Sequence, residues 1–268
     1  MKLRQDTFQR KPISGSVAIV ADPVFGANDA RIPPNKEIDG QRPYESFPRL
    51  YGAKLEAEQI FELSPSKSEI AVGFDANRDA IIKGSLKNYQ IVHFATHTVI
   101  EPDPALSGIV LSLFDDHGNA QNGLLLNRDI ANLDLSADLV VLSACETGTN
   151  EGINGMTSSF FYAGAQSVLT SLWAVDDIAT ADLMSRFYSG VLTQGMTPAA
   201  ALRRAQLEML KESRWRHPYF WAAFSLQGNG NVSIRPAKVN ENKSFLYASI
   251  AGICFLGFAY GFRRFHRN

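Results

Sequence analysis

From Val17 to Leu226 short apolar runs, each closed by turn residues, alternate with stretches of helical period, and this alternation limits the fold more than any other feature of the chain. Strands are read at Val17 to Ala21, Ile70 to Val72, Ile91 to Ala95, Leu139 to Ser143 and Val168 to Leu172. Helices are read around Leu50 to Phe61, Arg78 to Leu86, Gly155 to Gly164 and Asp176 to Ser189. Ile109 to Phe114 and Leu124 to Leu126 flank the turn signal DDHGN. Thr197, an N-cap residue followed by Pro198, opens a helix to about Glu212, and Trp221 to Leu226 closes the series as a strand. Such alternation implies an α/β fold with a mostly parallel sheet and helices on both faces.

A hydrophobic fraction of 45% and a charged fraction of 20% suit a chain with a sizeable core. A net charge of -1, with no Lys/Arg block in the main body, gives no field that would gather nucleic acid. The five histidines and two cysteines make no complete zinc-ligand set, so no metal is expected. The glycines of GTNEGING match neither a phosphate-binding loop nor a dinucleotide fingerprint, which leaves nucleotide sensing a weak alternative and no cofactor expected. Two cysteines build no disulfide framework, so Cys145 is read as a free thiol and Cys254 as part of an apolar tail.

That tail, Phe245 to Phe262, carries no charge and as a helix would extend about 27 Å, enough to span a bilayer. Tyr247 and Tyr260 near its ends and Arg263, Arg264 and Arg267 behind it are what an anchored span needs. Residues 229–244, polar, rich in Asn and without apolar periodicity, read as a linker, and 263–268 as a basic tail. The first fifteen residues have no apolar stretch behind their positive charges, so no secretory signal is expected. The expectation is a single-pass C-terminal membrane anchor with the body on the cytoplasmic side.

In open parallel sheets ligands bind outside the carboxyl ends of the strands. His97 falls just past the strand IVHFA and Cys145 just past LVVLSA. If those strands are neighbours, an imidazole and a thiol meet at one edge. A free thiol is mostly protonated at neutral pH, and a nearby imidazolium stabilises the nucleophilic thiolate. His93, mid-strand on a packed face, reads as a bonded core histidine, and His117, His217 and His266 sit in a turn, before a proline and in the tail.

The segments HFATH, LSACETG, GINGMTSSFFYAGAQSVLTSLWAVDD, AALRRAQLEML and HPYFWAAFSLQG together resemble the CHAT domain, a bacterial relative of caspases and separases often found beside TPR repeats. The resemblance runs from about Val17 to Gly228, giving a CHAT domain over 1–228. The 48 positions from His97 to Cys145 are close to the roughly 50 separating the pair in caspases. What the resemblance implies is a cysteine endopeptidase with His97 as general base and later acid, Cys145 as nucleophile, and the backbone N–H groups of Cys145 and Thr98 as oxyanion hole. The family usually has glycine where Thr98 stands, which makes a CHAT-fold scaffold without turnover the competing reading. Asp22 and Asp176 are the substrate-binding candidates, either of which could favour a basic P1 side chain. Ser143 stands where some arginine-specific relatives have an acid. The implied partners are a protein or peptide substrate, a gating TPR-type sensor and the membrane through 245–262, with no nucleic acid.

Overall fold

The computed structural model describes residues 15–33, 47–84, 86–144 and 150–234. Strand β1 (Val17–Pro23) leads to helix α1 (Tyr51–Leu63), β2 (Glu69–Gly73), α2 (Arg78–Lys83) and β3 (Ile91–Thr96). Then come β4 (Thr98–Val99), β5 (Gly108–Val110), β6 (Leu124–Leu126), α3 (Asn127–Ala131), β7 (Leu139–Ala144) and α4 (Asn150–Ala163). The series ends with β8 (Ser167–Ser171), α5 (Asp177–Tyr188), α6 (Pro198–Lys211) and β9 (Phe224–Gly228).

Six strands form one sheet in the order β2-β1-β3-β7-β8-β9, parallel except for β9, which runs antiparallel to β8. Alternate side chains face opposite layers, as the period of two requires. Ile19, Ile91, Val141 and Leu169 pack under α1, α5 and α6, and Val20, Val92, Val140 and Val168 pack under α2, α3 and α4. Burying large side chains such as Phe94, Phe160 and Phe187 contributes about 2 kcal/mol each. A second, antiparallel sheet of β4, β5 and β6 sits in the connection between β3 and β7.

The expected parallel α/β architecture is present, with differences at element ends. The second helix stops at Lys83 because Gly84 closes it, its N–H donating to the Ala80 carbonyl at 2.8 Å. The strand expected from Ile109 ends at Val110, after which Leu113 and Ser112 bond to Val24 and Ala76 in other segments. The helix expected from Gly155 begins at Asn150. The last strand starts at Phe224 rather than Trp221, since Pro218–Phe220 forms a 3-10 turn that carries into Ala222, whose N–H bonds the Pro218 carbonyl at 2.8 Å. The stretch read as linker begins folded: Ile234 is 1% exposed and joins the α5/α6 core layer. The expected span at 245–262 and the basic tail lie outside the described residues. Among the described residues no helix is long and apolar enough to cross a membrane.

Candidate active site

β3 and β7 are hydrogen-bonded neighbours whose register ends on the pair Thr96 and Ala144. The adjacency on which a shared His/Cys edge depends is met. His97 follows Thr96 directly; Cys145, the next residue after Ala144, lies outside the described residues.

His97 is held from several directions. Its carbonyl accepts from Val110 N at 2.9 Å, and the Thr96 hydroxyl donates to the Val110 carbonyl at 2.5 Å, so the small sheet grips the main chain on both sides of the turn. Its ring Nε2 lies 2.8 Å from the Pro48 carbonyl oxygen. A carbonyl only accepts, so Nε2 carries the proton and the basic lone pair of the neutral ring is on Nδ1. The imidazole packs edge-on against Phe25, with centroids 4.9 Å apart at 65°, and against Phe47 at 5.2 Å. It is 3% exposed, which keeps water from competing for these bonds. Thr98 opens β4 opposite Ile109 and is equally buried.

Asp22 occupies the carboxyl end of β1, where the pairing with β2 slips between Ala21 and Pro23. Its φ is +46°, the only positive value at a non-glycine among the described residues. Aspartate tolerates this region better than most side chains, but the conformation still has to be held by its surroundings. Arg49 donates Nε to Oδ1 at 2.9 Å and Nη2 to Oδ2 at 2.6 Å, while Arg31 donates Nη1 to Oδ2 at 3.0 Å and to the Asp22 carbonyl at 2.8 Å. The hydrogen bond to Asp22 holds Arg49 even more firmly protonated than usual. Asp29 sits below the ordinary carboxylate range, chiefly through its hydrogen bond with Arg31, with burial opposing. A cavity of about 440 Å³ opens beside His97's cradle, lined by Phe25, Phe47, Pro48, Arg49 and Tyr51 among others.

The remaining candidates are spread out. Asp176 caps α5, its Oδ1 accepting from Ile178 N at 3.1 Å and Ala179 N at 2.9 Å. His93 is fully buried, its Nδ1 hydrogen-bonded with the Tyr188 hydroxyl and its Nε2 facing Glu56 Oε1 at 3.1 Å. Ser143 donates to Glu56 at 3.0 Å. His217 accepts from Tyr219 N at 3.2 Å to start the 3-10 turn.

Sequence reading missed Pro48, Phe47, Arg49, Arg31 and Glu56. A main-chain carbonyl such as Pro48's has no residue-type signature, so nothing could have marked it. Glu56 did leave a trace: it shares the stripe of Gly52, Ala53, Ala57 and Ile60, where an acid is out of place.

A sequence profile of the CHAT domain matches residues 3–229. Tetratricopeptide repeat protein 28 of Homo sapiens is 29% identical over 211 residues, covering 66% of this chain but 8% of that protein. Its Mus musculus counterpart is 36% identical over 110 residues, covering 40% of this chain and 4% of that protein. The chain thus spans under a tenth of these relatives, whose mammalian source gives the expected bacterial setting no support. Among solved structures, the Arg-specific cysteine proteinase gingipain R superposes with a TM-score of 0.54 at 10% identity, over 84% of this chain and 48% of that one. The Saccharomyces cerevisiae separase in its complex with securin gives a TM-score of 0.46 at 13% identity, over 81% of this chain and 12% of the other.

Proposed function

The chain belongs to the CHAT domain family and has a cysteine-peptidase-like fold, and from that premise we propose that it is a cysteine endopeptidase working through Cys145 and His97. The observation that carries this reading is the register of β3 on β7: Thr96 and Ala144 are paired on strands about 4.8 Å apart, and His97 and Cys145 are the next residues in sequence. In this reading His97 Nδ1 takes the proton of the Cys145 thiol and the sulfur attacks the scissile carbonyl carbon. The imidazolium then gives the proton to the leaving amine, and water hydrolyses the acyl-enzyme. The Nε2–H bond to Pro48 supports it, because it directs Nδ1 rather than Nε2 to the chemistry. The backbone N–H groups of Cys145 and Thr98 are assigned to the developing oxyanion.

We assign no P1 charge preference. The Asp22 carboxylate is engaged by two guanidinium groups, and that of Asp176 caps a helix. Residues 245–262 take the role of membrane anchor on the sequence argument, tested by whether the chain stays with vesicles after carbonate washing. A tetratricopeptide-repeat partner is the gating candidate, supported by the repeat proteins among the relatives. Thr98, in place of the family's usual glycine, favours the second reading, a scaffold with little turnover.

The test is labelling of the full-length chain with a peptidyl electrophile, read by mass spectrometry in wild type and His97→Ala. Modification of Cys145 that falls at least about tenfold in the variant is expected for a dyad. Equal, slow labelling of both proteins rules out the peptidase and leaves the scaffold.

A further inference from the structure

We infer that Arg49, locked onto Asp22, is a positioning residue for His97: it holds the Pro48 carbonyl where that oxygen fixes the imidazole's tautomer and aim. This rests on the peptidase reading for its catalytic consequence, though not for the geometry.

Pro48 and Arg49 are consecutive, so anchoring one side chain places the other's carbonyl. The Arg49 guanidinium meets both oxygens of Asp22, at 2.9 and 2.6 Å, a fork-to-carboxylate contact that restrains orientation as well as distance. It also lies 5.0 Å over the Tyr51 ring. Asp22 in turn is hard to move. It ends β1, the strand next to β3, so the fixed point of the clamp belongs to the same sheet that carries His97. Arg31 fastens it from the other side, bonding its carboxylate, its carbonyl and the carbonyl of Pro23. A left-handed φ at a buried aspartate persists only when its surroundings over-determine it, and two arginines on one carboxylate do so here. On its far side the segment enters α1 through the buried Leu50, and Phe47 packs on Phe25 and His97. Those apolar contacts set depth but tolerate sliding. The bidentate ion pair is the directional element.

The Asp22 carboxylate is therefore structural rather than a receptor for a basic P1 side chain, and the two roles separate kinetically. A positioning residue lowers kcat with KM held, because the ground-state complex is unaffected, whereas a substrate contact raises KM.

The experiment uses the full-length chain with Arg49→Ala and Arg49→Lys, the latter keeping the charge while losing the fork. Two readouts are taken: 15N NMR of the His97 ring, and the rate and pH profile of Cys145 labelling by the peptidyl electrophile. Wild type is expected to show the Nε2–H tautomer. Arg49→Ala should give a mixed tautomer, labelling slowed about tenfold or more and a displaced pH profile, with Arg49→Lys intermediate and thermal unfolding close to wild type for Lys. An unchanged His97 tautomer in both variants overturns the inference, and so does a rise in the electrophile's apparent binding constant with its maximal rate intact. If the tautomer changes while wild-type labelling proves independent of His97, the clamp stands and the peptidase reading fails.

Discussion

Nε2 of His93 lies 3.1 Å from Oε1 of Glu56, and both residues are buried. The other Glu56 oxygen accepts from Ser143 Oγ at 3.0 Å, and His93 Nδ1 lies 3.0 Å from the Tyr188 hydroxyl. This chain of contacts joins α1, β3, β7 and α5 beneath the strand ends that lead to His97 and Cys145. Each polar group in it depends on its neighbour, since none can turn to water.

Replacing Glu56 with alanine leaves the buried Ser143 hydroxyl without its acceptor and the buried His93 without the carboxylate it faces. A loss of about 3 kcal/mol is expected. Glu56→Gln keeps an acceptor oxygen and should cost about 1 kcal/mol. Urea titration of the three proteins checks the order, and an alanine variant as stable as wild type would show that the network carries no weight.

Burial, and then the Glu56 charge, pushes the Tyr188 hydroxyl well above its usual pKa. Burial and a hydrogen bond with Glu69 do the same for Tyr89. Both groups stay neutral in the folded state while the unfolded chain ionises near pH 10, so their contribution is complete below about pH 10 and is lost as pH rises toward the raised folded values. Thermal melts from neutral to alkaline pH should fall steeply above about pH 10. Tyr188→Phe should lower the neutral-pH plateau by about 1 kcal/mol through the lost His93 contact, yet flatten the alkaline slope.

At Gly52, α1 lies directly against the start of α5. A Cβ there would stand 2.4 Å from the Asp177 Cβ and 2.7 Å from its carbonyl carbon, so Gly52→Ala must push the helices apart. The expected cost is about 2 kcal/mol. Gly155, inside α4, has its nearest neighbours at 3.4 and 3.5 Å, ordinary contact distances. Gly155→Ala should stabilise by about 0.5 kcal/mol through helix propensity. Opposite shifts in melting temperature for the two alanines are the signature.

Asp176→Ala should lower stability by about 1 kcal/mol through loss of the α5 cap, while Asp176→Asn, which caps equally well, should cost only a few tenths. Cleavage of peptides with basic and neutral P1 residues should change in neither ratio. A selective loss on basic substrates in the asparagine variant would restore Asp176 to the substrate pocket.

Local rules account for the elements that could be read directly from the chain. Val- and Ile-rich runs set β1, β2, β3, β7 and β8 within a residue or two, and Thr197 with Pro198 marks the start of α6, the Thr197 hydroxyl accepting from Ala200 N. Those signals are short-range: a period, a cap, a missing N–H. The same pattern set His97 and Cys145 at strand ends, which made the candidate dyad legible in the sequence. Long-range packing settled that β3 neighbours β7, that β9 turns antiparallel, and that Asp22 faces two arginines. The contacts that orient the candidate site span 49 residues from His97 to Pro48, 87 from Ser143 to Glu56 and 95 from His93 to Tyr188. Such pairings depend on how whole layers pack, not on the preferences of either residue. A main-chain carbonyl acting as acceptor has no residue identity to read, so its role emerged only when the fold carried Pro48 to His97.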